Sequence, residues 1–485
     1  MHCIVESDFR SGQPGISSVI DKKPASTILI YIVQINGIRL RAVIDGNEWI
    51  TKTEGRKVKN IFVFGADEFN LSLMRSLTCA QEYCFHELYQ YSEVKTGNEF
   101  PVKSLFEGAV ARLKCYPGSV DAIVGYLDFP VSTMLPLLCQ SLSLPSPSFE
   151  AVLKCEHKYW SRLEQRRVIP QYIPNFCAVD PFKNDYHEQI ILDYPFWIKP
   201  VKAVLSHLGF MVRNDSELDM AITAIRKHIY CFAKPFNYLL QFAELPKEVA
   251  AIDGYHCIAE GLISHGQQCT LEGYVFAGKL CIYGAVDSIR EGEHGSSFSR
   301  YQYPSLIPQC VQDKMSAVTD RFFRAIGFDN GPFNIEYYWE KESDHIWLLE
   351  INTRISKSHS PLFRNVDGMS HHLVMLALAL GERPVFPRRQ GLYQYSAKFM
   401  WRTHEDALVN RVPTDQEVQA VTRSIAGTDI QLHVHEGMRL SELNYQDSYS
   451  YEIATVFIGG DTEQELLQKY RDVQQALPLE LVPLS

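Results

Sequence analysis

Gly331-Pro332-Phe333-Asn334-Ile335-Glu336-Tyr337-Tyr338-Trp339 leads through the polar stretch Glu340 to His345 into Ile346-Trp347-Leu348-Leu349-Glu350-Ile351-Asn352-Thr353-Arg354. Both flanks are aromatic and β-branched around a charged middle, the pattern of a β-hairpin. Side chains alternate faces along a strand. Asn334, Glu336 and Tyr338 therefore share one face, and Leu348, Glu350 and Asn352 share one on the partner strand. A turn centred on Ser343 sets Glu336 directly opposite Glu350, with Cβ atoms roughly 4.5–5.5 Å apart. Like charges so placed destabilise a sheet unless something offsets them. A hard divalent cation does so, because Mg²⁺ takes a few carboxylate oxygens and completes its shell with substrate phosphates. Asn352 adds a neutral oxygen, and Arg354 a fixed positive charge suited to a phosphate or a developing oxyanion. The alternative is a solvated pair on an exposed face. The opposite face (Ile335, Tyr337, Leu349, Ile351) already supplies a core, so the polar convergence reads as a site.

Outward from the hairpin, the chain has 485 residues, 46% hydrophobic and 21% charged, an ordinary globular composition. At roughly 100–200 residues per domain, that suggests about three domains. The net charge of −10 supplies no basic field for nucleic acid or anionic membrane. The 12 cysteines are scattered without a Cys-x-x-Cys pair, which points to reduced thiols rather than a disulfide framework or structural zinc. Met1 to Arg10 carries Glu6 and Asp8 where a secretory signal would be basic. Ile28 to Val33 is far short of the ~20 residues that span a bilayer. The expectation is a soluble cytoplasmic protein with no nucleic-acid or membrane partner.

Residues 1–58 read as a hairpin extension, with strands Thr27 to Ile35 and Ile38 to Asp45 about Asn36-Gly37. The extension is either a dimer contact in a homodimer or a cap on the next sheet. Residues 59–150 read as an α/β domain: a strand at Ile61 to Phe64, a helix around Leu71 to Leu77, and a strand at Val120 to Gly125. Gly65 lacks the companion glycines of a dinucleotide fingerprint and reads as a tight strand-to-helix turn. A helix over Phe149 to Arg167 follows. Strands near Asp193 to Lys199 and Gly209 to Arg213, a helix from Asp215 or Ser216 to Cys231, and a strand ending at Glu260 make a β-β-α-β unit with a lysine at its entrance. The last region, 386–485, alternates strands and helices and ends in a helix near Thr462 to Ala476.

Glu350-x-Asn352-x-Arg354, preceded by Gly-Pro-Phe-Asn-Ile-Glu, resembles the metal-binding signature of the ATP-grasp enzymes, and the resemblance covers most of the chain from about Asn60 to Ser485. It implies an α/β (mixed α+β) ATP-grasp fold. A Rossmann-like pre-ATP-grasp domain comes first, then a central grasp at 151–385 with its β-β-α-β lid at about 190–258, then a C-terminal α+β domain. It further implies ATP with Mg²⁺ as cofactors (Mn²⁺ as substitute). Glu336, Glu350 and Asn352 would hold the metal, and Arg354 would steady the reacting acyl phosphate or oxyanion.

Lys158 resembles the family lysine at the start of the central domain that contacts nucleotide phosphates, and Lys199 the lid-strand lysine. Either alone reads as a surface lysine; their order and spacing favour the site. The loop Val201 to Gly209 lacks the usual glycine-rich clasp, with Ser206 and Gly209 left as phosphate contacts. Glu260, Gly261 and Leu262 resemble the hinge strand that reads adenine and sugar, with Gln268 in the ribose position. Glu272 resembles the acid that some amino-acid-ligating members place near the substrate amine, against a cross-strand ion pair. Arg290 or Arg300 is a candidate for a substrate carboxylate. His433 with His435, and the doublet His371-His372, read as structural.

The reading this supports is a carboxylate–amine ligase acting on small-molecule acid and amine substrates through an acyl phosphate. Biotin-carboxylase-like bicarbonate activation is the alternative, although Ser358 stands where those enzymes carry a catalytic glutamate. A catalytically silent nucleotide-binding module is the other.

Overall fold

The computed structural model describes residues 4–5, 16–23, 26–35, 38–45, 48–53, 58–94, 100–204, 207–263, 266–290, 297–443 and 450–484. The chain forms two compact units, Met1–Val58 and Lys59–Ser485. In the first, β1 (Ile4–Val5), β2 (Ile16–Lys23), β3 (Ser26–Ile35), β4 (Ile38–Asp45) and β5 (Glu48–Thr53) form an antiparallel sheet in sequence order. Ile35 pairs with Ile38, as a two-residue connection requires. Asn36-Gly37 itself lies outside the described residues.

The second unit opens with the parallel sheet β7-β6-β8, from β6 (Lys59–Ala66), β7 (Tyr83–Gln90) and β8 (Ala122–Val124). The turn after β6 depends on Gly65, whose φ is +78° and where an added Cβ would lie 2.4 Å from Leu127 Cδ1. Gly65→Ala is expected to destabilise this unit by about 1–3 kcal/mol through strain and overpacking; an unchanged thermal midpoint would contradict that.

Next comes a four-stranded antiparallel sheet in the order β11-β10-β12-β9, from β9 (Phe176–Val179), β10 (Phe196–Pro200), β11 (Phe210–Val212) and β12 (Cys257–Gly261). The helix Asp215–His228 packs on it through Leu218, Ala221, Ile222 and Ile225. Its cap is Asn214, whose side chain accepts from Glu217 N, one residue before the capping position expected. β10, β11, this helix and β12 follow one another in the expected β-β-α-β order.

The third sheet has eight strands, β17-β16-β13-β14-β15-β18-β21-β20. They are β13 (Gln267–Phe276), β14 (Lys279–Arg290), β15 (Phe298–Tyr303), β16 (Gly331–Glu340), β17 (His345–Asn352), β18 (Tyr395–Thr403), β20 (Thr428–Leu432) and β21 (Tyr451–Gly460). β19 (Ala407–Arg411) pairs separately with β22 (Glu480–Pro483). The region after 386 shares this sheet: β18 continues the ladder of β15 from Arg300↔Phe399 to Tyr303↔Ser396. The final helix is Glu463–Ala476, capped by Thr462. Among the described residues no helix is long and apolar enough to cross a membrane.

Candidate active site

The β16–β17 hairpin has the expected register at its functional end, Glu336 opposite Glu350 and Asn334 opposite Asn352. At the turn end Glu340 pairs with His345, and a bulge between Glu336 and Tyr337 takes up the extra residue. The bulge reverses the parity beyond it. Leu348 pairs with Tyr337 and is buried with it, so Leu348 belongs to the core face and not to the face of Glu350, as alternation alone had it.

β13 extends the site. Thr270 pairs with Glu336, and Glu272 with Asn334, giving two rungs, Glu350–Glu336–Thr270 and Asn352–Asn334–Glu272. Burial and the neighbouring Glu350 push the Glu336 carboxyl up to about 7. Glu350 behaves in the opposite way. Burial would raise it, but Lys158 and Lys199 hold it below the ordinary range. Asn352 Nδ2 donates to Asn334 Oδ1 at 3.0 Å, which leaves Asn352 Oδ1 as an acceptor beside the two carboxylates. Two carboxylates and an amide oxygen are a hard-cation donor set, so the residues present fit Mg²⁺.

Lys158 is placed by a break that the sequence did not suggest. The expected helix over Phe149 to Arg167 is two, Phe149–Glu156 and Lys158–Val168. Between them His157 is extended, with ψ of 98°. Its Nδ1 accepts from Trp160 N at 3.3 Å, and its Nε2 lies 2.8 Å from Ile252 O. Burial lowers its pKa to about 4, so it stays neutral and can act as a cap. Lys158, first in the new helix, reaches Glu350 Oε1 at 2.7 Å.

Lys199 on β10 donates to Glu260 Oε2 at 2.6 Å, and Arg162 to Glu260 Oε1 at 2.6 Å. Burial opposes ionisation of Glu260, but Arg162 and Lys199 bring its pKa down to about 2. Both oxygens are thus engaged. Glu260, expected to read adenine and sugar, orients Lys199 here because its carboxylate is fully paired. Gly261 N donates to Asn175 O at 2.9 Å, and Leu262 follows the strand end half-buried. Arg162 also donates to Leu348 O at 3.1 Å and Leu349 O at 2.8 Å, serving carbonyls on the outer edge of β17.

Three further candidates have partners within the chain. Gln268 does not stand free for a ribose: its Nε2 donates to Glu336 Oε2 at 2.9 Å, and its Oε1 accepts from Arg290 at 3.1 Å. Glu272 is wholly buried. It accepts from Ser356 N at 3.3 Å and lies 2.8 Å from His359 Nδ1, so it holds the loop after Arg354 rather than meeting solvent or an amine. Arg300 pairs across the ladder with Phe399, on the face opposite Tyr301, where Glu463 meets it at 2.6 Å. The final helix claims that guanidinium.

Ser206 lies outside the described residues. Lys202, in the same loop, is buried against Glu156 at 2.8 Å. Thr353 donates to the other Glu156 oxygen at 2.7 Å, tying the loop to the end of the metal strand. Arg354 meets Asp128 at 3.0 Å. Burial would raise Asp128, but Arg354 and Lys202 hold it well below the usual carboxylate range. Arg354 Nε is buried without a partner among the described residues.

Sequence reasoning also missed Asp128, Arg162, Glu156 and His359. Only Arg162, four residues after Lys158 and hence on the same helix face, carried a local signal.

Comparison with known proteins follows this geometry. Residues 192–361 match a family model described as an ATP-grasp domain. An uncharacterized protein, y4rH, of Sinorhizobium fredii (strain NBRC 101917 / NGR234) is 22% identical over 330 residues, 65% of this chain and 60% of that protein. The chain thus spans about 60% of the length of the curated relative it matches. Among solved structures, the L-amino acid ligase from Bacillus licheniformis superposes with a TM-score of 0.63 at 14% identity, covering 88% of this chain and 99% of that one. Biotin carboxylase from Campylobacter jejuni, in a β,γ-ATP complex, gives 0.58 at 14% identity, covering 88% and 93%. Likeness at that identity shows a shared fold.

Proposed function

Because the chain carries an ATP-grasp domain on the ATP-grasp fold, we propose that it is an ATP-dependent carboxylate–amine ligase of the cytoplasm. The observation that carries this reading is the pairing of Glu336 with Glu350 beside Lys158 and Lys199. The substrate carboxylate takes the γ-phosphoryl of ATP, giving an acyl phosphate and ADP. An amine then attacks the acyl carbon, and phosphate leaves as the amide forms.

Glu336, Glu350 and Asn352 would hold Mg²⁺, which supplies charge neutralisation at the transferring phosphoryl. Lys158 and Lys199 supply positive charge for the nucleotide phosphates. Gln268 and Arg290 orient Glu336 from behind. Arg354, fixed by Asp128 and with an unpartnered Nε, would stabilise the developing oxyanion. Lys202 and Thr353, sharing Glu156, keep the lid loop and Arg354 in one frame.

The test is ADP release with a panel of amino acids and other acids, with and without an added amine, and separately with bicarbonate. Acid-dependent ADP release together with an amide product is the expected result. ADP formed only with bicarbonate and biotin would replace this reading by carboxylation.

A further inference from the structure

Beyond Arg354 the site carries more positive charge than one reacting carboxylate needs. Lys357 opens the short helical turn Lys357–His359, and its ammonium lies over the Tyr91 ring at 5.0 Å. Among the described residues no carboxylate comes within ion-pair reach of it. Burial together with Lys398 and Arg354 pulls its pKa below the ordinary lysine value, while Asp67 pulls the other way. The Asp67 carboxylate is already occupied in capping the helix Glu68–Arg75, accepting from Asn70 N at 2.9 Å.

Lys398 comes to the same place from the last third of the chain. It pairs with Tyr301 across the β15–β18 ladder, and its ammonium lies 5.8 Å from that ring. The Tyr301 ring meets the His359 ring edge-on at 5.2 Å, and Glu272 fixes His359. Lys398 shares one carboxylate, Glu452, at 3.8 Å, with Arg402 at 3.0 Å from it. Burial lowers the Lys398 pKa as well.

The ladder also sets the direction. Tyr338, Gln268, Ser288, Tyr301 and Lys398 form one rung on the face of Glu336. Lys398 is three strands from Gln268, roughly 14 Å along the sheet. The nucleotide lysines, Lys158 and Lys199, meet Glu350 and Glu260 instead. Lys398 therefore stands on the Glu336 face away from the nucleotide lysines, and Lys357, in one turn with His359, comes to the same place through the His359–Tyr301 contact. Lys398 and Arg402 share the single carboxylate Glu452 here, with Lys357 outside its ion-pair reach; partly buried ammonium groups so undercompensated are costly, and an anionic ligand offsets that cost.

We propose that the acid substrate is at least dianionic, with its reacting carboxylate at Arg354 and a second anionic group, a carboxylate or a phosphate, held by Lys357 and Lys398. This rests on the ligase reading for the identity of the reacting group.

The test is calorimetric titration of the full chain, loaded with Mg²⁺ and the β,γ-imido analogue of ATP, with matched pairs of acids. The pairs are pentanoate against glutarate, L-norvaline against L-glutamate, and L-serine against O-phospho-L-serine. At least one dianion is expected to bind about 10–100-fold tighter than its monoanionic partner, the size of a charge-assisted contact. The phospho-serine arm separates a phosphate site from a carboxylate site. Lys357→Met and Lys398→Met should each cut the preference about tenfold, and Lys357→Arg should restore most of it. Thermal midpoint and nucleotide affinity report that both methionine variants are folded.

Equal binding within every pair, no detectable binding of any dianion, or a preference that survives both methionine variants would overturn the proposal. ADP release separates the two readings. Monoanions that turn over as well as dianions sink this inference and leave the ligase standing. Dianion binding with ADP formed only from bicarbonate sinks the ligase and leaves the anion site standing.

Discussion

Glu350→Gln is expected to reduce ADP formation by at least the ~10²–10³-fold lost when a single transition-state contact is removed, with the fold intact. The change keeps the shape of the side chain and removes its charge. It takes away one of two opposed carboxylates and the ion-pair partner of Lys158, 2.7 Å away. Stability should hold, because Glu350 keeps 38% of its side-chain surface and the substitution relieves the repulsion with Glu336. The Glu336 carboxyl, now at about 7, should fall toward the usual value. Glu340→Gln, at the turn end of the partner strand β16 and next to Trp347 Nε1, is the control and should leave ADP release unchanged. Undiminished turnover in Glu350→Gln, or equal losses in both variants, would remove the metal assignment.

Arg162→Met should be the most destabilising single change near the site. Arg162 and Glu260 keep 4% and 6% of their side-chain surface, and removing one partner of a buried pair typically costs about 3–5 kcal/mol. The edge of β17 suffers as well, since the carbonyls of Leu348 and Leu349 lose their donor. Thermal and urea midpoints should drop together, and an unchanged midpoint would show that the pair contributes nothing.

Acid dependence offers a second check. Glu260 ionises at about 2 in the folded chain against an ordinary 4.5, so the unfolded chain binds the extra proton between those values. The contribution of the carboxylate is complete above 4.5 and is lost as pH falls toward 2. Glu260→Gln should flatten the fall of the urea midpoint across that window. A slope equal to that of the unaltered chain would contradict the assignment.

The hairpin and its carboxylate pair were legible because alternation and turn position are local. Glu336 and Glu350 could be set opposite each other from spacing alone, and the lid followed from the order of strands and helix. The bulge after Glu336 was not legible, since Tyr337 and Leu348 have the same apolar character whichever register they take. The helix break was hidden for a related reason: His157 reads as an ordinary helical residue, and only the carbonyl of Ile252, far along the chain, makes it a cap.

Gln268, Glu260 and Glu272 were found as positions, but their partners within the chain were not legible. Each has a partner distant in sequence: Arg290 for the first, Arg162 for the second, His359 for the third. The Glu463 partner of Arg300 was hidden by parity, for one step along β15 separates the face of Tyr301 from the face that meets Glu463. Lys357 and Lys398 carry no local pattern: the β15–β18 ladder places Lys398 beside Tyr301, and the His359–Tyr301 contact brings the turn of Lys357 to that ring.

The unbroken eight-stranded sheet has a mechanical consequence. A ladder of hydrogen bonds resists shear between neighbouring strands, so the floor from β17 to β20 behaves as one stiff plate. Glu336 and Glu350 at one end and Lys398 further along it hold a fixed spacing set by the backbone itself. Lys199 stands on a separate four-stranded sheet, so its distance from Glu336 is not set by that ladder.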